Sequence, residues 1–170
     1  MPTIAPLPTK EVDTTIVPAY QYTYSLHGQT RRFKVGFRHT DEGLQMGWSI
    51  VRSLKTWHGN YYMSLDALTH SRRMSFEQPT DGNDVHLESE VFGIVSTDVL
   101  NELKEKKLTR FNDTTFRLVG FESTPDGERL VHAIDTEEGA EMWILDNESL
   151  PIVWKYINNP VEINWQVNKL

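Results

Sequence analysis

The sequence contains no cysteine. That absence excludes disulfide scaffolds, thiolate nucleophiles, cysteine-ligated zinc and iron–sulfur clusters. Long apolar runs are missing as well. Stretches such as 143–145 and 152–154 hold only a few residues, whereas a membrane-spanning helix needs about 20. The first residues carry neither a basic cluster nor an apolar core segment, so no signal peptide is expected in the chain as it stands; a mature form whose leader had been removed would read the same way. Positive charge is scarce: 17 Lys and Arg against 24 Asp and Glu leave a net charge of −7, which argues against a protein built to bind nucleic-acid phosphates.

Sequence signatures of chemistry are equally sparse. There is no G-x-S-x-G elbow, no phosphate-cradling G-x-x-x-x-G-K and no dinucleotide-binding G-x-G-x-x-G. His27, His39, His58, His70 and His132 form no H-x-H, H-x-x-x-H or H-E-x-x-H spacing, and no metal or cofactor is expected. His86, Glu88 and Glu90 alternate on one face of a strand, but Val85, Leu87 and Val91 fill the opposite face. The charged set therefore reads as the solvated side of an amphipathic strand rather than a metal site. Asp81-Gly82-Asn83-Asp84 reads as a hairpin turn, because it lacks the further ligand positions of a calcium loop.

What is abundant is short, alternating hydrophobic runs in a chain of 170 residues, the size of one domain. Residues 1–17 hold Pro2, Pro6 and Pro8 among several threonines without either regular period, and are expected to form a flexible Pro/Thr-rich tail ahead of a single β-rich domain over 18–170. Tyr20, Tyr22 and Tyr24 share one strand face, and Phe33, Val35 and Phe37 share the next, with His27-Gly28 in the turn between. Leu44, Met46, Trp48 and Ile50 continue the meander. Ser64 opens a short helix carrying Leu65 and Leu68. A better helix over 97–107 is capped by Ser96 or Thr97, with Asp98 in its first turn and Lys104, Lys106 and Lys107 in its last. Strands are expected around 74–76, at 85–91, and at 114–122, 129–135, 140–146, 152–157 and 161–167. The breaks between the last five are turn sequences such as Pro125-Asp126-Gly127 and Asn158-Asn159-Pro160. Such short connections favour antiparallel neighbours. The expected fold is α+β and mainly β: a curved antiparallel sheet or half barrel with two short helices packed on it.

The run of short strands, one pair of small helices and a Pro/Thr-rich tether, together with the segment Glu137-Glu138-Gly139-Ala140-Glu141-Met142-Trp143-Ile144-Leu145-Asp146-Asn147 before Leu150-Pro151, resembles the helix-covered half β-barrels of bacterial envelope proteins, a class that includes periplasmic lipoprotein carriers. The resemblance implies a sheet whose concave face can hold an apolar ligand, and a place in the periplasm or attached to the outer envelope; a cytoplasmic location is the alternative. It implies no catalytic residue.

Three functions follow as expectations. The first is a non-catalytic cell-envelope module that binds an apolar small molecule or a protein partner in a concavity between sheet and helices. Its ligand-binding candidates are the aromatic Trp48, Trp57, Tyr61, Trp143 and Trp154 together with Val99, Leu100 and Leu103 on the helix. The same rings would otherwise serve only to fill the core. The second is a hydrolase-like enzyme whose site is assembled from distant turns, with His39, Asp41 and His58 as the cluster to examine. The third is a structural or adhesion module that uses a sheet edge.

Overall fold

In a computed structural model, which describes residues 16–170, eleven strands form one curved, open sheet with two short helices on it. Four strands zigzag in sequence: β1 (Tyr20–Leu26), β2 (Gln29–Thr40), β3 (Gly43–Arg52) and β4 (Lys55–Ser64). Helix α1 (Leu65–His70) follows, capped by the Ser64 side chain, which accepts the Ala67 amide. After the edge strand β5 (Asp84–Leu87) comes α2 (Thr97–Lys106), capped by Ser96 and closed by Lys107 in the left-handed conformation. The second meander comprises β6 (Leu108–Phe111), β7 (Thr114–Ser123), β8 (Arg129–Asp135), β9 (Glu141–Leu145), β10 (Val153–Ile157) and β11 (Ile163–Lys169). The sheet order is β5-β4-β3-β2-β1-β11-β10-β9-β8-β7-β6, so pairing of β1 with β11 joins the two meanders into one surface.

The period-two stripes read from the sequence form the inner face. Tyr22 lies across from Phe33 and Val167, Met46 across from Tyr61, and Tyr156 across from Trp165 and Met142. The helices cover this face, α1 against β3 and β4 and α2 against β6 and β7, and touch one another between the two flanks. Between them the extended segment 91–95 threads the interior, with Val91, Ile94 and Val95 fully buried and Ile94 bridged to Ile152.

Several details differ from expectation. β5 runs parallel to β4, because the connection through α1 and residues 71–83 is long enough for a crossover. The strand expected at 74–76 is reduced to one bridge, Met74 with Val91, and the run expected over 85–91 ends at Leu87. β6 is an additional strand, begun directly by the turn at Lys107. Val161, which alternation in a strand over 161–167 would bury with Trp165 and Val167, is 41% exposed, because Glu162 takes a positive φ of 58° and β11 starts only at Ile163. Of the expected tail, residues 1–15 lie outside the described residues. Ile16 and Val17 lie on the outer face of the sheet, where a Cβ at Gly36 would collide with the Ile16 side chain and the Val17 carbonyl.

Candidate functional site

The two hairpins β1–β2 and β3–β4 point their turns toward the same end of the sheet. Pairing of β2 with β3 stops at Lys34 and Ser49, although β2 continues with β1 to Gln29 and β3 continues with β4 to Arg52. Beyond that point the hairpins are no longer joined, and an aromatic cavity of about 140 Å³ opens there. Five contiguous strands supply its floor: Tyr24 from β1, Phe33 from β2, Trp48 and Ile50 from β3, Trp57 from β4, and Ile163 and Trp165 from β11. Residues 75–79 with Phe92 and Gly93 form the opposite wall.

The rings support each other. Phe33 stands edge-on to Tyr24 at 5.5 Å and to Trp48 at 5.6 Å, and Trp165 lies 5.4 Å from Tyr24. The Trp48 indole covers Gly59, where a Cβ would come within 2.7 Å of it. Tyr61 holds the far wall: its ring stacks on Phe92 at 3.9 Å, and its hydroxyl donates to the Glu77 carbonyl at 2.8 Å. Burial pushes the phenols of Tyr24 and Tyr61 well above their usual value, so both are neutral in this environment.

At the mouth stand two cations. The inward stripe of β2 runs from Val35 through Phe33 to Arg31, and that of β3 from Trp48 through Ile50 to Arg52. Arg52 lies over Trp57, with its guanidinium carbon 5.0 Å from the ring centroid. Arg31 donates to Gln29 at 2.8 Å. Among the described residues no histidine or aspartate lines the cavity, and Glu77 is its one carboxylate.

Of the residues singled out from sequence, Trp48 and Trp57 line this cavity and Tyr61 supports its wall. The others lie elsewhere. Val99, Leu100 and Leu103 are fully buried under α2, so the space expected between sheet and helices is filled by the protein's own side chains. Trp154 is buried edge-on to Tyr20 at 6.0 Å. Trp143 belongs to the outer face, stacked on His132 at 4.1 Å, with its Nε1 donating to Glu122 and Lys155 5.0 Å over its ring. The register also separates the enzyme candidates. His58 aligns through Ser49 with Lys34, and His39 aligns through Leu44 with Met63, which places the two histidines five strand positions apart, about 16 Å. His86 stacks on Tyr62 on the outer face. Among the described residues no three potential metal ligands come together, and no helix is long and apolar enough to cross a membrane.

Sequence reasoning missed Arg31, Arg52, Phe33 and Phe92 as lining residues. The first three were available from alternation alone, since Arg31 and Arg52 continue apolar stripes at the same parity. Phe92 was not, because its position depends on a non-local path through the core.

A second hollow, about 520 Å³, lies on the other side of Ser75 and Phe76 and is rich in carboxylates. Three of its acids, Asp113, Asp135 and Glu137, are already engaged. Asp113 takes two bonds from Arg73, while Asp135 accepts Thr114 Oγ1 at 2.6 Å and the amides of Glu137 and Glu138. These contacts fix the turns 112–113 and 136–140. No protein-family model matches the chain, and no curated protein or solved structure matches it.

Proposed function

We propose that this protein is a non-catalytic binding module that takes the apolar end of a small molecule into the aromatic cavity at the open end of the half barrel. The observation that carries the reading is a ring-walled space of about 140 Å³ bordered by five strands and open to solvent. A dry protein cavity of about 150 Å³ accommodates benzene, so this one matches a single ring or a short alkyl chain. It is smaller than the roughly 300–1,000 Å³ of sites for drug-sized ligands, and a small ligand fits it better than the long acyl chains of a lipoprotein. The scarcity of titratable groups in the lining supports binding over catalysis, because general acid–base work needs a positioned proton carrier with an accessible pKa.

The experiment is a titration with benzyl alcohol and hexan-1-ol, followed by tryptophan emission and thermal unfolding. Trp48, Trp57 and Trp165 border the cavity, so occupancy is expected to change their emission and raise the unfolding midpoint by mass action. Unchanged emission and midpoint up to the solubility of both alcohols would refute the reading. An envelope location belongs to the same proposal: recovery of the protein in periplasmic or membrane fractions supports it, and retention in the cytosol removes it.

A second reading, contact with a protein partner, is favoured by the β3–β4 turn. Leu54 is fully exposed there at a positive φ of 64°, and Val51, near the end of β3, is 71% exposed. A bulky side chain held in a disfavoured conformation without burial in its own fold is a signal for an external contact.

A further inference from the structure

We infer that the ligand of the aromatic cavity is a small amphipathic anion, with its apolar end among the rings and its carboxylate or equivalent oxyanion between Arg31 and Arg52; this rests on the reading of the cavity as a ligand site. The argument begins with register. Pairing of β2 with β3 ends at Lys34 and Ser49. Continuing the same register by three residues places Arg31 across from Arg52, on the inner face and at the point where the hairpins part. Two like charges opposed on adjacent strands destabilise a sheet. Inward-facing cations at the end of an apolar stripe also lose hydration, which a neutral partner offsets less than an opposite charge would.

Four other guanidinium groups are neutralised by carboxylates, whereas Arg32 and Arg117 point outward into solvent. Arg72 is held by Glu102, Arg73 by Asp113, Arg110 by Glu137 and Arg129 by Asp146. Arg31 and Arg52 have no such partner among the described residues: one bonds the neutral Gln29, and the other lies over an indole face. With 24 carboxylates in the chain, a pair of uncompensated cations facing one cavity is a local reversal of the overall charge. Glu77 also borders the cavity, leaving the described lining with one net positive charge.

The chemistry of the two groups narrows the ligand. A guanidinium presents a planar fork of donors that matches a carboxylate or phosphate oxygen pair, and stacking on Trp57 limits the orientations open to Arg52. The apolar walls exclude water from one side of the charges, which strengthens an ion pair formed there relative to one in bulk solvent. The cavity's size limits the apolar part to one ring or a short chain.

The test compares hexanoate, hexan-1-ol and hexylamine on the full chain, by tryptophan emission and by shift of the thermal midpoint. Hexanoate is expected to bind on the order of tenfold more tightly than hexan-1-ol, the size of one charge-assisted hydrogen bond, and hexylamine the least tightly. Added salt should reduce the preference for hexanoate but not the affinity for hexan-1-ol. The variants Arg31→Gln and Arg52→Gln should each reduce the preference and the double variant abolish it, with hexan-1-ol binding still detected and the unfolding midpoint no lower than the parent's, since the opposed charges are relieved. Arg52→Lys should keep part of it. Equal affinities for hexanoate and hexan-1-ol would overturn the anion assignment while leaving the cavity reading in place. Failure of all three to bind would overturn both. A preference that survives the double variant would place the anion elsewhere and overturn the roles of Arg31 and Arg52.

Discussion

Replacement of Trp165 tests the register of the last strand and the packing around the cavity together. The indole is 4% exposed, contacts the rings of Tyr24 at 5.4 Å and Tyr156 at 5.2 Å, and donates from Nε1 to the buried Val153 carbonyl at 2.8 Å. Trp165→Ala removes the burial, both ring contacts and the donor, and a large aromatic truncated in a core costs about 3–5 kcal/mol. The lower half of that range is expected, because Trp165 already borders an open cavity and water can enter part of the space it leaves. Trp165→Phe retains most of the apolar area and ring geometry but leaves the Val153 carbonyl without its donor, a cost of about 1–3 kcal/mol. Gln166, one residue on, is exposed on the outer face, so Gln166→Ala should stay within about 0.5 kcal/mol of the parent. Urea unfolding with unchanged m-values gives the three differences directly. The expected order is Trp165→Ala, then Trp165→Phe, then Gln166→Ala. A one-residue slip in register reverses both faces of a strand, so equal costs for the alanine variants at 165 and 166 would refute the pairing of β11 with β1 and β10.

Leu54→Gly should stabilise the protein by about 1 kcal/mol in the same urea assay. Both central residues of the β3–β4 turn have positive φ, where Gly is favoured over a bulky side chain, and the exposed leucine gives up no burial; a loss of stability would show that Leu54 packs within its own fold. Glu102 is held at about 2, below its usual value, first by the bidentate bond from Arg72 and then by Thr109 Oγ1, with burial opposing. A lowered folded-state value stabilises above the unfolded-state pKa of about 4.5, and that contribution is lost as pH falls toward 2. Because Arg72 is 40% exposed, screening reduces the effect to about 1–2 kcal/mol. The stability difference between parent and Glu102→Gln should therefore be largest near neutral pH and shrink on acidification; a constant difference would refute the assignment.

Much of the fold was legible because its determinants are local. The stripes Tyr20-Tyr22-Tyr24 and Leu44-Met46-Trp48-Ile50 carry their period on their face, Ser64 and Ser96 accept the amides expected of caps, and His27-Gly28 forms the turn where it was expected. What escaped depends on partners distant in sequence. β5 has only four residues, and its parallel pairing with β4 follows from the crossover rather than from its own composition. The aromatic set was read as one group, yet curvature and the bulge between Val153 and Lys155 send Trp143 outward and Trp154 inward. Arg31 and Arg52 escaped for a different reason: a charge ending an alternating strand resembles a solvated terminus, and only the splitting of two hairpins turns those ends into the mouth of a cavity.

The location of that cavity also follows from how the interior is filled. A curved sheet encloses more space than two helices of six and ten residues can occupy, and segment 91–95 fills much of the remainder with Val91, Ile94 and Val95. At Gly93 the chain takes a positive φ of 72° and passes close to Tyr22 and Met46, and only residues 75–79 with Phe92 and Gly93 face the hairpin end, where the cavity remains. Collapse there is resisted by ring packing: Phe33 is wedged edge-on between Tyr24 and Trp48, and the far wall is pinned by Tyr61 through Phe92 and the Glu77 carbonyl. Edge-to-face aromatic pairs are each worth about 0.5–1.5 kcal/mol beyond area burial, so closing the cavity would forfeit several of them at once. Walls held by such contacts are ordered before anything enters, so under the proposed function a small ligand would order few side chains.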